Sequence, residues 1–140
     1  MRHPNLVGRR VLVVEDEFLV ATLMEDVLTD AGCIIIGPFA RLADALLAAK
    51  SETIDVAVLD VNVANETVFP VAYVLEERGI PFLFVTGYGE SVLPRDRPNW
   101  ETCTKPYRPD ELTTRLAAKF NTVKSQFPVS NGKRMSPEGR

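Results

Sequence analysis

The sequence predicts an α/β domain, a doubly wound five-stranded parallel sheet in the order 2-1-3-4-5 with a short or weak fourth helix. Three observations predict it. Short apolar runs alternate five times with stretches of helical period, and crossovers of that length force parallel pairing. The run Val56-Ala57-Val58-Leu59 is apolar at every position, as in a strand covered on both faces at the middle of such a sheet. Each of four runs also ends in a reactive side chain: Glu15 and Asp16 after the first, Asp60 after the third, Thr86 after the fourth, Lys105 after the fifth. Open α/β sheets carry their sites at that carboxyl edge, where strands one and three form the switch point.

The elements follow in order. Residues 1–8 read as a polar lead-in and 10–14 as the first strand, with Glu15-Asp16-Glu17 directly after it. A helix is expected over 18–31, stopped by Gly32. Residues 33–36 form the second strand, closed by Gly37-Pro38. Leu42, Ala45, Leu46 and Ala49 mark the second helix. After the third strand, 62–65 read as a loop. The next helix ends before Gly79, and its start is placed near 67–69 because Pro70 fits only a first turn. Residues 80–85 form the fourth strand. Pro94 and Pro98 allow at most one or two helical turns over 90–100. A weak fifth strand at 101–104 leads to a last helix over 109–120, with Leu112, Leu116 and Phe120 on one stripe. Residues 126–140 lack periodicity. The domain is thus expected over 9–123, with a flexible tail over 124–140.

Composition narrows the classes. With 140 residues, 46% of them hydrophobic, one core is expected. A net charge of −3 draws the chain to neither nucleic acid nor an anionic membrane. No run is long enough to span a bilayer and no secretory apolar segment opens the chain, so a cytoplasmic location is expected. Cys33 and Cys103 lack metal-ligand spacing and read as buried thiols at opposite edges of the sheet, too far apart for a disulfide.

Taken singly, each polar residue has an ordinary explanation. Asp60 starts a turn, Asp16 caps a helix, Thr86 closes a turn, Lys105 is a surface charge. Four such explanations holding on one edge of one sheet are less economical than a shared site. The chemistry that the set permits is phosphoryl transfer to a carboxylate, with Asp60 as nucleophile. Lys105 brings a positive charge to one phosphoryl oxygen and the Thr86 hydroxyl a hydrogen bond to another. Three acids against one lysine call for Mg²⁺ or another divalent cation, held by Asp16, Asp60, the backbone carbonyl of Asn62, and Glu15 directly or through water.

These residues carry a resemblance. Val13-Val14-Glu15-Asp16-Glu17, Val58-Leu59-Asp60-Val61-Asn62, Val85-Thr86-Gly87 and Lys105-Pro106-Tyr107 resemble the motifs of the receiver domains of two-component response regulators. The resemblance covers residues 9–123. It implies a flavodoxin-like fold, dependence on Mg²⁺, phosphotransfer from a histidine kinase or phosphotransfer protein, and a cis peptide between Lys105 and Pro106. The stretch Pro81-Phe82-Leu83-Phe84-Val85-Thr86-Gly87-Tyr88 is similar to the PFxFATGY signature of a group of alphaproteobacterial single-domain regulators, with Val85 in place of its Ala. Two departures stand out: Glu15 is longer than the frequent Asp, and Thr102 lies three before Lys105, where many receivers carry Tyr or Phe. Thr86, Tyr88 and Thr102 are therefore the switch candidates, with coupling expected through Thr86, Tyr88 and the weak fourth helix.

The sequence is expected to be a stand-alone phospho-acceptor whose output passes through contact with an unidentified downstream protein, or which relays or drains phosphate. It is not an enzyme beyond its own phosphorylation and dephosphorylation. A pseudo-receiver would keep the fold without the chemistry, against which Asp60, Thr86 and Lys105 stand. A haloacid-dehalogenase-like phosphatase wants a second Asp where this chain has Asn62, and a flavodoxin wants a phosphate loop after strand one.

Overall fold

The computed structural model describes residues 2–87 and 92–125. Five parallel strands form one sheet: β1 (Arg10–Val14), β2 (Ile34–Phe39), β3 (Val56–Asp60), β6 (Phe82–Thr86) and β7 (Thr102–Thr104). A two-stranded antiparallel hairpin, β4 (Asn62–Val63) and β5 (Glu66–Thr67), supplies the intervening numbers. The sheet order is β2-β1-β3-β6-β7, the expected 2-1-3-4-5 when the hairpin is set aside. The helices are α1 (Phe18–Asp30), α2 (Leu42–Ser51), α3 (Phe69–Glu77) and α4 (Pro109–Ser125).

Strand alternation sorts the core into two clusters. Leu12, Val14, Ala57, Leu59, Phe82 and Phe84 face α2 and α3, meeting Ala45, Ala49, Val71 and Leu75. Val11, Val13, Val56, Val58, Leu83 and Val85 face α1 and α4, meeting Met24, Leu28, Leu112 and Leu116. All five residues of β3 are buried, as a central parallel strand requires.

Several elements differ from expectation. The strand that was to end before Gly37-Pro38 runs through both to Phe39. β2 is an edge strand, so a residue without an N–H is tolerated there. Gly37 adopts φ 111, and a Cβ at that position would lie 2.8 Å from the Val13 carbonyl oxygen. The extension has a use: the Phe39 carbonyl accepts the Glu15 N–H at 2.9 Å, fixing the backbone where the acids begin.

The lead-in is built into the fold. Leu6 is fully buried against α1, and the His3 and Gly8 N–H groups donate to the carbonyls of Ala31 and Gly32 at 3.0 and 2.8 Å. The expected loop at 62–65 is the hairpin. Its turn residues Ala64 and Asn65 have φ 50 and 68, the left-handed pair of a tight two-residue turn. Pro70 sits in the first turn of α3, as expected. Between β6 and β7, described residues 92–101 contain no α-helix. Residues 88–91, which include Tyr88 and the start of the expected fourth helix, lie outside the described residues; of the tail expected over 124–140, residues 124 and 125 belong to α4, which runs past the expected end at 120, and 126–140 lie outside the described residues.

In that connection Trp100 is buried among the rings of Phe69, Tyr73, Phe82 and Phe84, with centroids 5.2 to 6.1 Å away. Its indole N–H donates to Glu76 Oε2 at 3.1 Å, while Arg97 Nε donates to Glu76 Oε1 at 3.1 Å. The segment is thereby clasped to α3.

Candidate functional site

Four strand ends converge on one cleft of about 510 Å³, lined by Asp16, Glu17, Asp60, Asn62, Asn65 and Lys105 together with Thr86 and Gly87. β3 lies between β1 and β6, so its terminal Asp60 emerges beside the acids after β1 and beside Thr86. Lys105, just past β7, is tied to β6 by its N–H, which donates to the Thr86 carbonyl at 2.8 Å. Its Nζ stands 3.3 Å from Glu15 Oε1, 3.5 Å from Asp60 Oδ2 and 4.0 Å from Glu17 Oε1. One lysine thus bridges acids from two other strands.

Burial separates the acids. The Glu15 side chain has no exposed surface and that of Asp60 is 11% exposed, whereas Asp16 is exposed. Desolvation, then the neighbouring Asp60 carboxyl, raise the Glu15 pKa from 4.5 to about 7, against the Glu17 N–H and Lys105, which lower it. Burial alone would lower the pKa of Lys105, but Asp60 and Glu15 outweigh it and hold the lysine charged. Tyr107 lies nearby, its phenol pushed up to about 12, first by burial.

Each acid is held by a different device. Glu15 Oε2 accepts the Glu17 N–H at 3.1 Å. Asp16 Oδ2 accepts the Ala64 N–H at 2.9 Å, from the turn of the β4–β5 hairpin. Glu15, Asp16 and Asp60 each offer a carboxylate oxygen within 4.8 Å of the others. This is an all-oxygen donor set of the kind that a hard cation such as Mg²⁺ takes, with room left in the cleft for water and phosphate.

The structure brings Glu15, Asp16, Asp60, Thr86, Asn62 and Lys105 together at this edge. It does not bring Thr102, which is buried in β7 opposite Phe84 and does not line the cleft. Tyr88 lies outside the described residues. Sequence reasoning missed Asn65 and the Ala64 N–H altogether. It noted Glu17 only as a third acid in a row. The peptide between Lys105 and Pro106 is cis.

Residues 11–117 match the response regulator receiver domain. The chain belongs to that family. This receiver domain is similar to the solution structure of SdrG from Sphingomonas melonis Fr1, at 34% identity over 84% of this chain and 99% of that one, with a TM-score of 0.71. A second structure, the BeF3-activated conformation of SdrG from Pseudomonas melonis Fr1, is also 34% identical, over 81% of this chain and 97% of that one, with a TM-score of 0.66. The response regulator PhyR from Brucella abortus is 27% identical over 86% of this chain and only 51% of that one, with a TM-score of 0.73. No curated protein sequence matches the chain. Among the described residues, no helix is long and apolar enough to cross a membrane.

Proposed function

We propose that this receiver domain accepts a phosphoryl group on Asp60 from a histidine kinase or histidine phosphotransfer protein and passes the signal on by protein contact, or relays or drains the phosphate, in the cytoplasm. The observation that carries the reading is the placement of Lys105 Nζ 3.5 Å from Asp60 Oδ2 in a cleft that Asp16, Glu17 and Thr86 also line. An Asp60 oxygen attacks phosphorus, and the new O–P bond forms as the P–N bond of the donor phosphohistidine breaks. The departing imidazole takes a proton from solvent. Lys105 meets the charge of one phosphoryl oxygen, and the Thr86 hydroxyl donates to another. Glu15, Asp16 and Asp60, with the Asn62 carbonyl, are the residues that would hold Mg²⁺, which supplies the positive charge that Lys105 alone does not.

The donor has a surface to approach. Phe18, Leu19 and Leu23 at the start of α1 are 81%, 74% and 65% exposed, directly after Glu17 of the cleft. Exposed apolar side chains grouped beside a reactive cleft suit protein contact. That SdrG has been solved in a BeF3-activated conformation supports the use of beryllofluoride as a phosphoryl mimic here as well.

The test is chemical. Incubation with Mg²⁺ and a small phosphodonor is expected to give acid-stable, base-labile label on the wild type and none on Asp60→Asn. Label that survives in Asp60→Asn moves the acceptor elsewhere. No label on the wild type, from donor or kinase, favours a pseudo-receiver.

A further inference from the structure

The β4–β5 hairpin begins with Asn62 of the cleft, but its turn at Ala64 and Asn65 has no assigned task. It is short and strained, and it is well anchored. Asn62 pairs with Thr67 and Val63 with Glu66. Val63 is fully buried, and the Val68 N–H donates to the Val61 carbonyl at 2.8 Å, closing the hairpin base onto the core. Both turn residues occupy the left-handed region without being glycine, at φ 50 for Ala64 and 68 for Asn65. Such strain persists only where surrounding structure imposes it, and it gathers at functional sites.

That turn aims one group. The Ala64 N–H donates to Asp16 Oδ2 at 2.9 Å, across 48 positions of sequence. Asp16 belongs to no strand or helix and is exposed, and no other hydrogen bond to its carboxylate is found among the described residues. An exposed carboxylate on a loop otherwise samples several rotamers. Asp16 also contributes an oxygen to the three-acid cluster.

We propose that the hairpin is a positioning device for Asp16, in which the Ala64 N–H fixes one carboxylate oxygen so that the group is presented to the cation in a single orientation. The proposal rests on the phospho-acceptor reading and deepens it: Ala64 is a positioning residue that sets cation affinity through the shape of its backbone. Partners that orient a metal ligand in this way are worth about 10- to 100-fold in metal affinity.

Ala64→Val disfavours the left-handed turn, whereas Ala64→Gly relieves its strain and keeps the N–H. Titration calorimetry with Mg²⁺, above the Glu15 transition, is expected to show about 10-fold weaker binding for Ala64→Val and binding within about twofold of wild type for Ala64→Gly. Wild-type affinity in a folded Ala64→Val overturns the proposal, as does equal weakening in both variants. If Ala64→Val does not fold, amide exchange decides: exchange at Ala64 is expected to accelerate about 10-fold in Asp16→Ala, and unchanged exchange overturns the proposal. Wild type that takes phosphoryl label while Ala64→Val binds Mg²⁺ normally defeats the hairpin's role alone; wild type that neither labels nor binds Mg²⁺ defeats both readings.

Discussion

Lys105 Nζ lies 3.3 Å from Oε1 of Glu15, a carboxyl whose side chain is wholly buried. The pair makes the cation-free site sensitive to pH. Glu15 holds its proton up to about 7 in the folded state, against 4.5 when solvated, so folding is favoured by the protonated form. That contribution is complete below the unfolded value and is lost as pH rises through about 7. In chelator, the stability of the protein is expected to fall between pH 5 and 8, by at most about 3 kcal/mol. Glu15→Gln should flatten the slope. Thermal melts across that range, with and without Mg²⁺, check this: added Mg²⁺ should stabilise most at the alkaline end, and a Glu15→Gln slope equal to wild type refutes it.

Lys105 and Thr86 are expected to separate in kinetics. Lys105→Ala removes the positive charge 3.5 Å from Asp60 and is expected to slow labelling of Asp60 about 100-fold. Thr86→Val keeps a β-branched residue in β6 and loses only the hydroxyl, with about a 10-fold effect. Rates of label uptake from a small phosphodonor measure both. Equal rates in Lys105→Ala and wild type would remove the lysine from the mechanism.

Much of this site was legible because its residues end strands, and the strands announce themselves as apolar runs. Asp60 after Val56-Ala57-Val58-Leu59 needed no tertiary information. The hairpin did: two residues per strand give no periodicity, and Ala64 is not a residue that signals a left-handed turn. Pro38 misled for a related reason. Proline stops a central strand but not an edge strand, and which strand is at the edge is settled only by the whole sheet. Leu6 sits beside Val7 in a mostly polar stretch, and that Leu6 is buried while Val7 is exposed depends on where α1 ends. Thr102, a switch candidate from its place three before Lys105, is buried in β7 in register with Phe84 and does not line the cleft.

Glu76 and Trp100 give a second energetic test. Glu76→Ala leaves the buried indole N–H without its acceptor and removes the Arg97 contact, at an expected cost of about 1–3 kcal/mol. Trp100 is the single tryptophan of the chain, so its emission should shift to longer wavelength in the same variant. Denaturant unfolding followed by fluorescence reads both quantities. An unchanged midpoint would mean that the clasp adds nothing to stability.

The thiols should be inert in the folded protein. Cys33 and Cys103 are free and buried, and burial raises both pKa values, that of Cys33 to about 11. Native protein is expected to react with an aromatic disulfide reagent only as fast as it opens, and both thiols to react at once in denaturant. Rapid native labelling of either cysteine would contradict its burial.

The sheet is also a partition wall. Leu28 belongs to the compartment under α1 and α4, Leu75 to the one under α2 and α3. Truncating either to alanine is expected to cost about 2–5 kcal/mol, and the double variant should lose the sum to within about 0.5 kcal/mol. A void on one side goes unheard on the other. The rim is different: Val14 and Leu59 line one compartment and adjoin Glu15 and Asp60, and Val13 and Val58, one residue further back on the same strands, line the other. A single charge added at Asp60 therefore addresses both halves of the molecule at once, from the place where the wall ends.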